Sequence, residues 1–358
     1  MKHVYIKAFS SKNLGDDIFI KILADRYNNV EFSLFSTQNY EGKLPKNIRL
    51  LNNIPNRICN KVLRMFYDYY LPVEKKFVKE CDMIVQIGGS LFMENTSRNW
   101  RNNAEFFYKK LGKKYYILGS NFGPYNTDEY LNYYKNIFGE AQDVCFREKY
   151  SYDLFKELSN VRWASDIVFS LDTSNIVITN NRKVVISVID CKSKTTVEDK
   201  ENYESKIIEL CEYFIEKKYE VILMSYCKLE HDEETISSIL SKCNNKIKNE
   251  IKTYCYDGDI EEALNIMGDC QIIIGSRFHA NIIGLLLGKT IIPIAYSDKT
   301  INILNDINFK GRVLKVQEIQ NFSVDTLTEK DLTYKHDISY QIKNSQKQFE
   351  ILDKILKE

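Results

Sequence analysis

Short β-branched runs alternate with helix-forming stretches along most of the 358 residues. This predicts an α/β protein whose parallel sheets are covered by helices on both faces. The alternation breaks once, in the polar stretch Asp172 to Arg182, and resumes at Val184. The length is also that of two domains. Several apolar runs end in Gly, Ser, Asn or Arg where the next helix begins, at the strand edge where open α/β sheets bind ligands. We therefore expect two Rossmann-like parallel-sheet domains facing a cleft, over residues 1–178 and 179–336. A C-terminal helix over residues 337–358 is expected to fold back on the first domain.

Val4 to Phe9 reads as the first strand, and Asn13-Leu14-Gly15-Asp16 turns into a helix over Asp17 to Tyr27. Val30 to Phe35 reads as the second strand. A helix follows over residues 60–79, with Val62, Leu63, Phe66, Tyr69 and Tyr70 at helical spacing. Met83 to Ile87 is a buried strand ending at Gly88-Gly89-Ser90. Ala104 to Leu111 is a helix, and Lys114 to Leu118 a strand ending at Gly119. Helix Tyr130 to Phe138, strand Asp143 to Phe146 and helix Tyr150 to Leu158 complete the first series. The second begins with strand Val184 to Ile189, helix Tyr203 to Lys217 and strand Glu220 to Met224. Helix Ile236 to Leu240, strand Ile251 to Tyr254 and helix Ile260 to Met267 follow. Strand Gln271 to Ile274, helix Ala280 to Leu287 and strand Thr290 to Ile294 close it.

Composition narrows the function classes. Hydrophobic residues make up 44% of the chain, enough for substantial cores. Lys plus Arg number 50 against 49 Asp plus Glu, a net charge of +1 that gives no support to a nucleic-acid protein. The nine cysteines are scattered, odd in number and without a CxxC pair, so neither a zinc site nor a disulfide framework is expected. Met1 to Lys7 lacks the apolar region of a signal peptide. No uncharged apolar run approaches the roughly 18 residues of a membrane span. A soluble cytoplasmic protein is expected.

Gly275-Ser276-Arg277-Phe278-His279 is the most informative run. It puts a permanent cation and a group titrating near neutral pH between a strand's carboxyl end and a helix start, where unpaired N–H groups suit an anion. Ser276, Arg277 and His279 are the leading candidates. Alternatively, Arg277 lies on the surface and His279 is packed. Asn13 and Asp16 occupy the corresponding edge of the first strand, either capping the helix or binding ligand hydroxyls. Gly88 and Gly89 let backbone approach a ligand or merely turn the chain. Arg147 either holds a carboxylate or phosphate or forms a surface ion pair with Glu148 or a nearby acid. Asp166 either contacts sugar hydroxyls or caps a turn. Arg98, Arg101, Lys109, Lys110, Lys113 and Lys114 form a basic set that either faces an anionic lipid-linked substrate or, the favoured reading, is a solvated helix face. His3, His231 and His336 have no neighbours suggesting a metal site or triad. There is no GxGxxG or GK[ST], which disfavours NAD and ATP.

The ordered series NLGD, IGGSLF, GSNFGP, FREKYSYDLFKEL, SDIVF, GSRFHANIIGLLLGKTIIPI and YSDKTINIL resembles the polysaccharide pyruvyl transferase family, from about residue 4 to residue 306. The resemblance implies two Rossmann-like domains in a glycosyltransferase B architecture. It also implies transfer of pyruvate from phosphoenolpyruvate to a sugar, or a lipid-linked glycan acceptor, as a ketal with release of phosphate. The family's [SG]R-x-H arginine and histidine fall on Arg277 and His279. Phe278 stands where Leu is commoner, and Gly88-Gly89-Ser90 departs from the usual triple glycine. The scheme requires no metal or cofactor; peripheral membrane association through the acceptor is compatible with it. A nucleotide-sugar glycosyltransferase using the same cleft, and a non-catalytic glycan-binding member, are the alternative readings.

Overall fold

The computed structural model describes residues 2–40, 42–51, 77–94, 112–191 and 196–357. The helices expected over 60–79 and 104–111 lie wholly or mainly outside the described residues, as do Arg98, Arg101, Lys109 and Lys110. The chain forms two compact units. The first comprises Met1–Ser11, Asp16–Leu171 and Gln341–Glu358; the second comprises Lys12–Gly15 and Asp172–Tyr340.

Among the described residues the first unit holds a seven-stranded parallel sheet: β1 (His3–Lys7), β2 (Glu31–Leu34), β3 (Ile48–Leu50), β4 (Met83–Ile87), β5 (Lys114–Ser120), β6 (Asp143–Phe146) and β7 (Val161–Trp163). Their spatial order is β3-β2-β1-β4-β5-β6-β7. The chain therefore steps outward in one direction from β1 and in the other from β4, which makes the β1/β4 boundary a topological switch point. β4 is buried at every position, Gln86 included, as its apolar-rich sequence leads one to expect for a strand covered on both faces. Its connections include α1 (Leu14–Arg26), α2 (Asp128–Glu140) and α3 (Lys149–Phe155). Thr127 caps α2 by accepting the Tyr130 N–H. Beneath α2, Phe122 meets Phe155 edge-on at 4.9 Å between centroids, and Phe92 meets Phe138 in the same way at 5.0 Å. Such geometry adds about 0.5–1.5 kcal/mol per pair beyond area burial.

The second unit repeats the plan with β8 (Lys183–Ser187), β9 (Glu220–Ser225), β10 (Ile251–Cys255), β11 (Ile272–Gly275), β12 (Thr290–Ala295) and β13 (Leu314–Lys315). The order is β10-β9-β8-β11-β12-β13, all parallel, so the switch point lies between β8 and β11. Val184, Ile186, Leu223, Ile274 and Ile292 face one core with Phe214 of α4 (Val197–Glu216). The helices that follow are α5 (Asp232–Lys242), α6 (Asn245–Glu250), α7 (Ile260–Gly268), α8 (Phe278–Leu286) and α9 (Asp298–Asp306). α8 is buried at nearly every position, which its polar-poor sequence requires. After α10 (Glu329–Thr333), the chain ends in α11 (Ser339–Ser345) and α12 (Glu350–Leu356). The strands β3, β7 and β13, two or three residues each, were not expected from the sequence.

Candidate functional site

Two groups of candidate residues form, one in each unit. In the second unit, Ser276-Arg277-Phe278-His279 emerges from β11 at the switch point, with Arg277 as the N-cap residue of α8. The neighbouring strand fixes this turn. The Ser187 carbonyl accepts the Ser276 N–H at 3.2 Å, and the Ser187 hydroxyl accepts the Arg277 N–H at 3.1 Å. Asn281 closes it from within α8, donating to the carbonyls of Gly275 (3.0 Å) and Arg277 (3.2 Å). The Ser276 hydroxyl does not open to solvent: it is buried and bonds the Tyr203 hydroxyl at 2.8 Å.

The Arg277 side chain is gripped by two carboxylates. Its Nε donates to Asp232 Oδ2 at 3.0 Å, Nη2 donates to Asp232 Oδ1, and Nη1 donates to Glu230 Oε2 at 2.5 Å. Burial opposes the guanidinium charge, but Asp232 and then Glu230 outweigh it and raise its pKa above the ordinary arginine value. The two acids are not equivalent. The Asp232 side chain is fully buried, and its Oδ2 also accepts the backbone N–H groups of Tyr226 (2.9 Å) and Cys227 (3.0 Å). The Glu230 side chain is 32% exposed and rides on a single 3-10 turn, Lys228–Glu230. Asp232 is therefore the enclosed partner and Glu230 the more exposed one.

The segment Lys12–Gly15 belongs to this group. Leu14 N–H donates to the Tyr226 carbonyl at 3.1 Å, and Asn13 forms an antiparallel bridge with Cys227. Asn13 Nδ2 donates to Glu230 Oε1 at 3.2 Å, while its Oδ1 accepts the Gly15 N–H at 3.1 Å. Gly15 lies against the half-buried His279: a Cβ there would fall 1.9 Å from the imidazole Nδ1. The His279 ring also meets Phe278 edge-on, with centroids 5.0 Å apart.

The first unit gathers Gly88, Gly89, Arg147 and Asp166. The Gly88-Gly89 loop follows β4 at the other switch point, and the Ser120 hydroxyl donates to the Gly88 carbonyl at 2.8 Å. Arg147, 3% exposed, lies directly under Gly89: a Cβ at that position would be 2.6 Å from Nη1. Arg147 Nη1 donates to Asp166 Oδ2 at 3.1 Å, and Nη2 to Asn121 Oδ1 at 2.7 Å. The other Asp166 oxygen accepts the Val168 N–H at 2.9 Å, capping the turn. Burial pushes the Asp166 carboxyl above its usual range, against the pull of Arg147 and that amide. The Arg147 ion pair thus lies in the interior rather than at the surface, and Asp166 caps a turn as well as pairing. Asp16, half-buried in the first turn of α1, is grouped with the first unit while Asn13 is grouped with the second.

Sequence reasoning missed Glu230, Asp232, Gly15, Asn121 and Gln348. The first two carried a signal: they stand in the acidic run Glu230-His231-Asp232-Glu233-Glu234, just past the carboxyl end of β9. Gly15 lay inside a motif already singled out, yet the need for a glycine there comes from His279, 264 positions away in the chain. Gln348 lies in the tail, and nothing in its neighbourhood marks it. Among the described residues no group of three His, Cys, Asp or Glu is placed to hold a metal ion, and no helix is long and apolar enough to cross a membrane.

Comparison with solved structures shows the fold. The UDP-GlcNAc 2-epimerase of Neisseria meningitidis, bound to UDP-GlcNAc, matches with a TM-score of 0.63 at 13% identity, covering 100% of both chains. Anabaena Alr3699/HepE in complex with UDP-glucose matches with a TM-score of 0.60 at 13% identity, covering 99% of this chain and 100% of that one. These likenesses establish a GT-B-like architecture. Among curated proteins, the amylovoran biosynthesis protein AmsJ of Erwinia amylovora is 21% identical over 299 residues, 77% of this chain and 71% of AmsJ. The family model for polysaccharide pyruvyl transferase matches residues 13–298, from the Asn13 turn through the Arg277–His279 motif, and the chain belongs to that family.

Proposed function

We propose that the protein transfers pyruvate from phosphoenolpyruvate to two hydroxyls of a sugar in a cell-surface polysaccharide or its precursor. The observation that carries this reading is the placement of Arg277 and His279, within the family's matched segment, at the switch point of the second sheet. His279 delivers a proton to the methylene carbon of the donor, leaving positive charge at C2. One sugar hydroxyl attacks C2 and loses its proton. Phosphate then departs, and a second hydroxyl attacks C2 and loses its proton to close the ketal. Of the two protons released, one balances the proton given to carbon and the other leaves with phosphate. A positioned imidazole suits both giving and taking protons along this sequence.

An anionic donor meets a guanidinium already compensated by two acids. Asp232, held by two amides, and Glu230, held by Asn13, both stay while Arg277 takes a donor carboxylate or phosphate. Arg277 keeps two of its five N–H groups beyond the three that bond the acids. Gly88, Gly89, Arg147 and Asp166 are assigned to shaping the first unit's loops toward the acceptor. The reading places the enzyme in the cytoplasm, without metal or cofactor, meeting a membrane only through a lipid-linked acceptor.

A second reading has an observation behind it: proteins of the same fold have been solved with UDP-sugars. A donor screen separates the two. The purified protein should release phosphate from phosphoenolpyruvate only when a suitable glycan is present. His279→Gln should stay folded and lose about 10²–10⁴-fold in single-turnover rate. Nucleotide release from a UDP-sugar, with phosphoenolpyruvate unconsumed across the acceptor panel, would support the glycosyltransferase instead.

A further inference from the structure

We infer that the turn Asn13-Leu14-Gly15 is a positioning clamp for Arg277 and His279. The inference rests on the reading above, in which His279 does the chemistry. Two independent contacts lead from the turn to the motif. Through Asn13 Nδ2 it holds Glu230, which holds Arg277 Nη1. Through Gly15 it forms the wall against which the His279 imidazole rests. The turn is itself anchored to the residues that anchor the arginine. Leu14 N–H is taken by the Tyr226 carbonyl, and Asp232 accepts the N–H groups of Tyr226 and Cys227 while gripping Arg277. The bonds form a closed circuit: Arg277 to Asp232, to Tyr226, to Leu14, to Asn13, to Glu230 and back to Arg277. In a circuit of this kind no member turns without straining another. That is how a side-chain constellation is held near a productive geometry.

The wall at Gly15 makes the inference testable. The three nearest atoms to a Cβ at position 15 are all in the His279 ring, with Nδ1 at 1.9 Å, Cγ at 2.6 Å and Cε1 at 2.9 Å. An alanine there therefore collides with the end of a side chain that can swing aside, rather than with backbone. The ring, rather than the backbone, is expected to move. Misplacing a reacting group by about 1 Å costs on the order of 100-fold in rate. Gly15→Ala should thus lower kcat about 100-fold, with the donor KM changed less than about 3-fold.

The experiment uses the full chain in four forms: wild type, Gly15→Ala, His279→Ala and the double variant. Imidazole NMR signals provide a readout independent of turnover. Those of His279, identified by their loss in His279→Ala, should shift in Gly15→Ala, while those of His3, His231 and His336 stay in place. In the His279→Ala background, where the ring is gone, Gly15→Ala should change the residual rate by less than about 2-fold, because coupled residues are non-additive. Unmoved His279 signals with unchanged kcat would overturn the clamp. If His279→Ala itself retains wild-type turnover, the assignment of chemistry to His279 fails, while a shift of the ring signals still reports the contact. Should Gly15→Ala fold poorly, the double variant must recover the wild-type melting temperature; a double variant as unstable as Gly15→Ala overturns the clamp.

Discussion

Arg277 reads differently as a letter in a motif and as a side chain in its surroundings. From sequence it is an anion holder, and a truncation is expected to weaken donor binding and turnover. In the structure its side chain is 8% exposed and Asp232 beside it is fully buried. Removing the guanidinium strands that carboxylate. Breaking a buried pair from one side costs about 3–5 kcal/mol, whereas replacing both partners by apolar groups is often neutral. Arg277→Ala should therefore lose about 3–5 kcal/mol of unfolding free energy in urea. Part of that loss should be recovered in Arg277→Met/Asp232→Asn, which removes the stranded charge while an amide oxygen still accepts the Tyr226 and Cys227 N–H groups, although neither variant turns over. A loss below about 0.5 kcal/mol for the single variant, the level of an ordinary surface change, would contradict the buried-pair account. Activity measured on Arg277→Ala has to be expressed per folded molecule for the same reason.

At the scale of the elements, much was legible. β4 and β11 announced themselves as apolar-rich runs leading into glycine, since a strand covered on both faces needs no alternation. The helix that carries His279 followed from the apolar composition of residues 280–287. The short edge strands β3 and β13 and the three-residue β7 were not legible, because two or three residues carry no periodicity. The site was legible in its chemistry and hidden in its support. Arg277 and His279 could be named from sequence, but Glu230, Asp232 and Gly15 act through contacts that only folding creates. Gln348 is the extreme case. Fully buried, its Oε1 accepts the Gly119 N–H at 3.0 Å, and its Nε2 faces the carbonyls of Phe146 (3.2 Å), Ala164 (3.1 Å) and Ser165 (3.2 Å). These residues lie within two positions of Asn121, Arg147 and Asp166. Gln348→Met fills the space but takes the partner from the Gly119 N–H and from the Ala164 and Ser165 carbonyls, while the Phe146 carbonyl keeps the Ala164 N–H; each buried orphan costs about 1–3 kcal/mol. We expect a loss of at least about 2 kcal/mol in urea unfolding, with faster amide exchange at Gly119. Wild-type stability with unchanged exchange would refute the role given to that side chain.

Across the whole molecule, the C-terminal segment Gln341–Glu358 belongs to the first unit, tied there by charge as well as by Gln348. Asp353 accepts from Arg26 Nε at 2.9 Å, Arg26 Nη2 at 2.6 Å and the Tyr27 hydroxyl at 2.8 Å. Burial works against its ionisation, but Arg26, Tyr27 and Lys357 outweigh it and hold the carboxyl at about 2, below its ordinary 3.8. A carboxyl depressed in the folded state contributes stability above its unfolded pKa and loses it as pH falls through the folded value. The contribution of Asp353 should therefore be complete at neutral pH and fade between about pH 4 and pH 2. Asp353→Asn should be less stable than wild type at pH 7, and the gap should narrow across that acid window. A stability difference independent of pH would show that the carboxylate's charge is not what holds the segment.

The four residues Lys12–Gly15 are grouped with the second unit although the chain on either side of them belongs to the first. The second unit is thus not a continuous stretch of gene. A fragment beginning at Asp172 would carry Arg277 and His279 but leave behind the turn that braces them. A chimaera joining the first 171 residues of one relative to the remainder of another would import a foreign turn against a native histidine. Grafts within this family should therefore be cut by contact rather than by position, with residues 12–15 taken from the same parent as Glu230, Asp232 and His279. In this protein, inheritance of the motif and inheritance of its brace are two separate events that a recombinant must reunite.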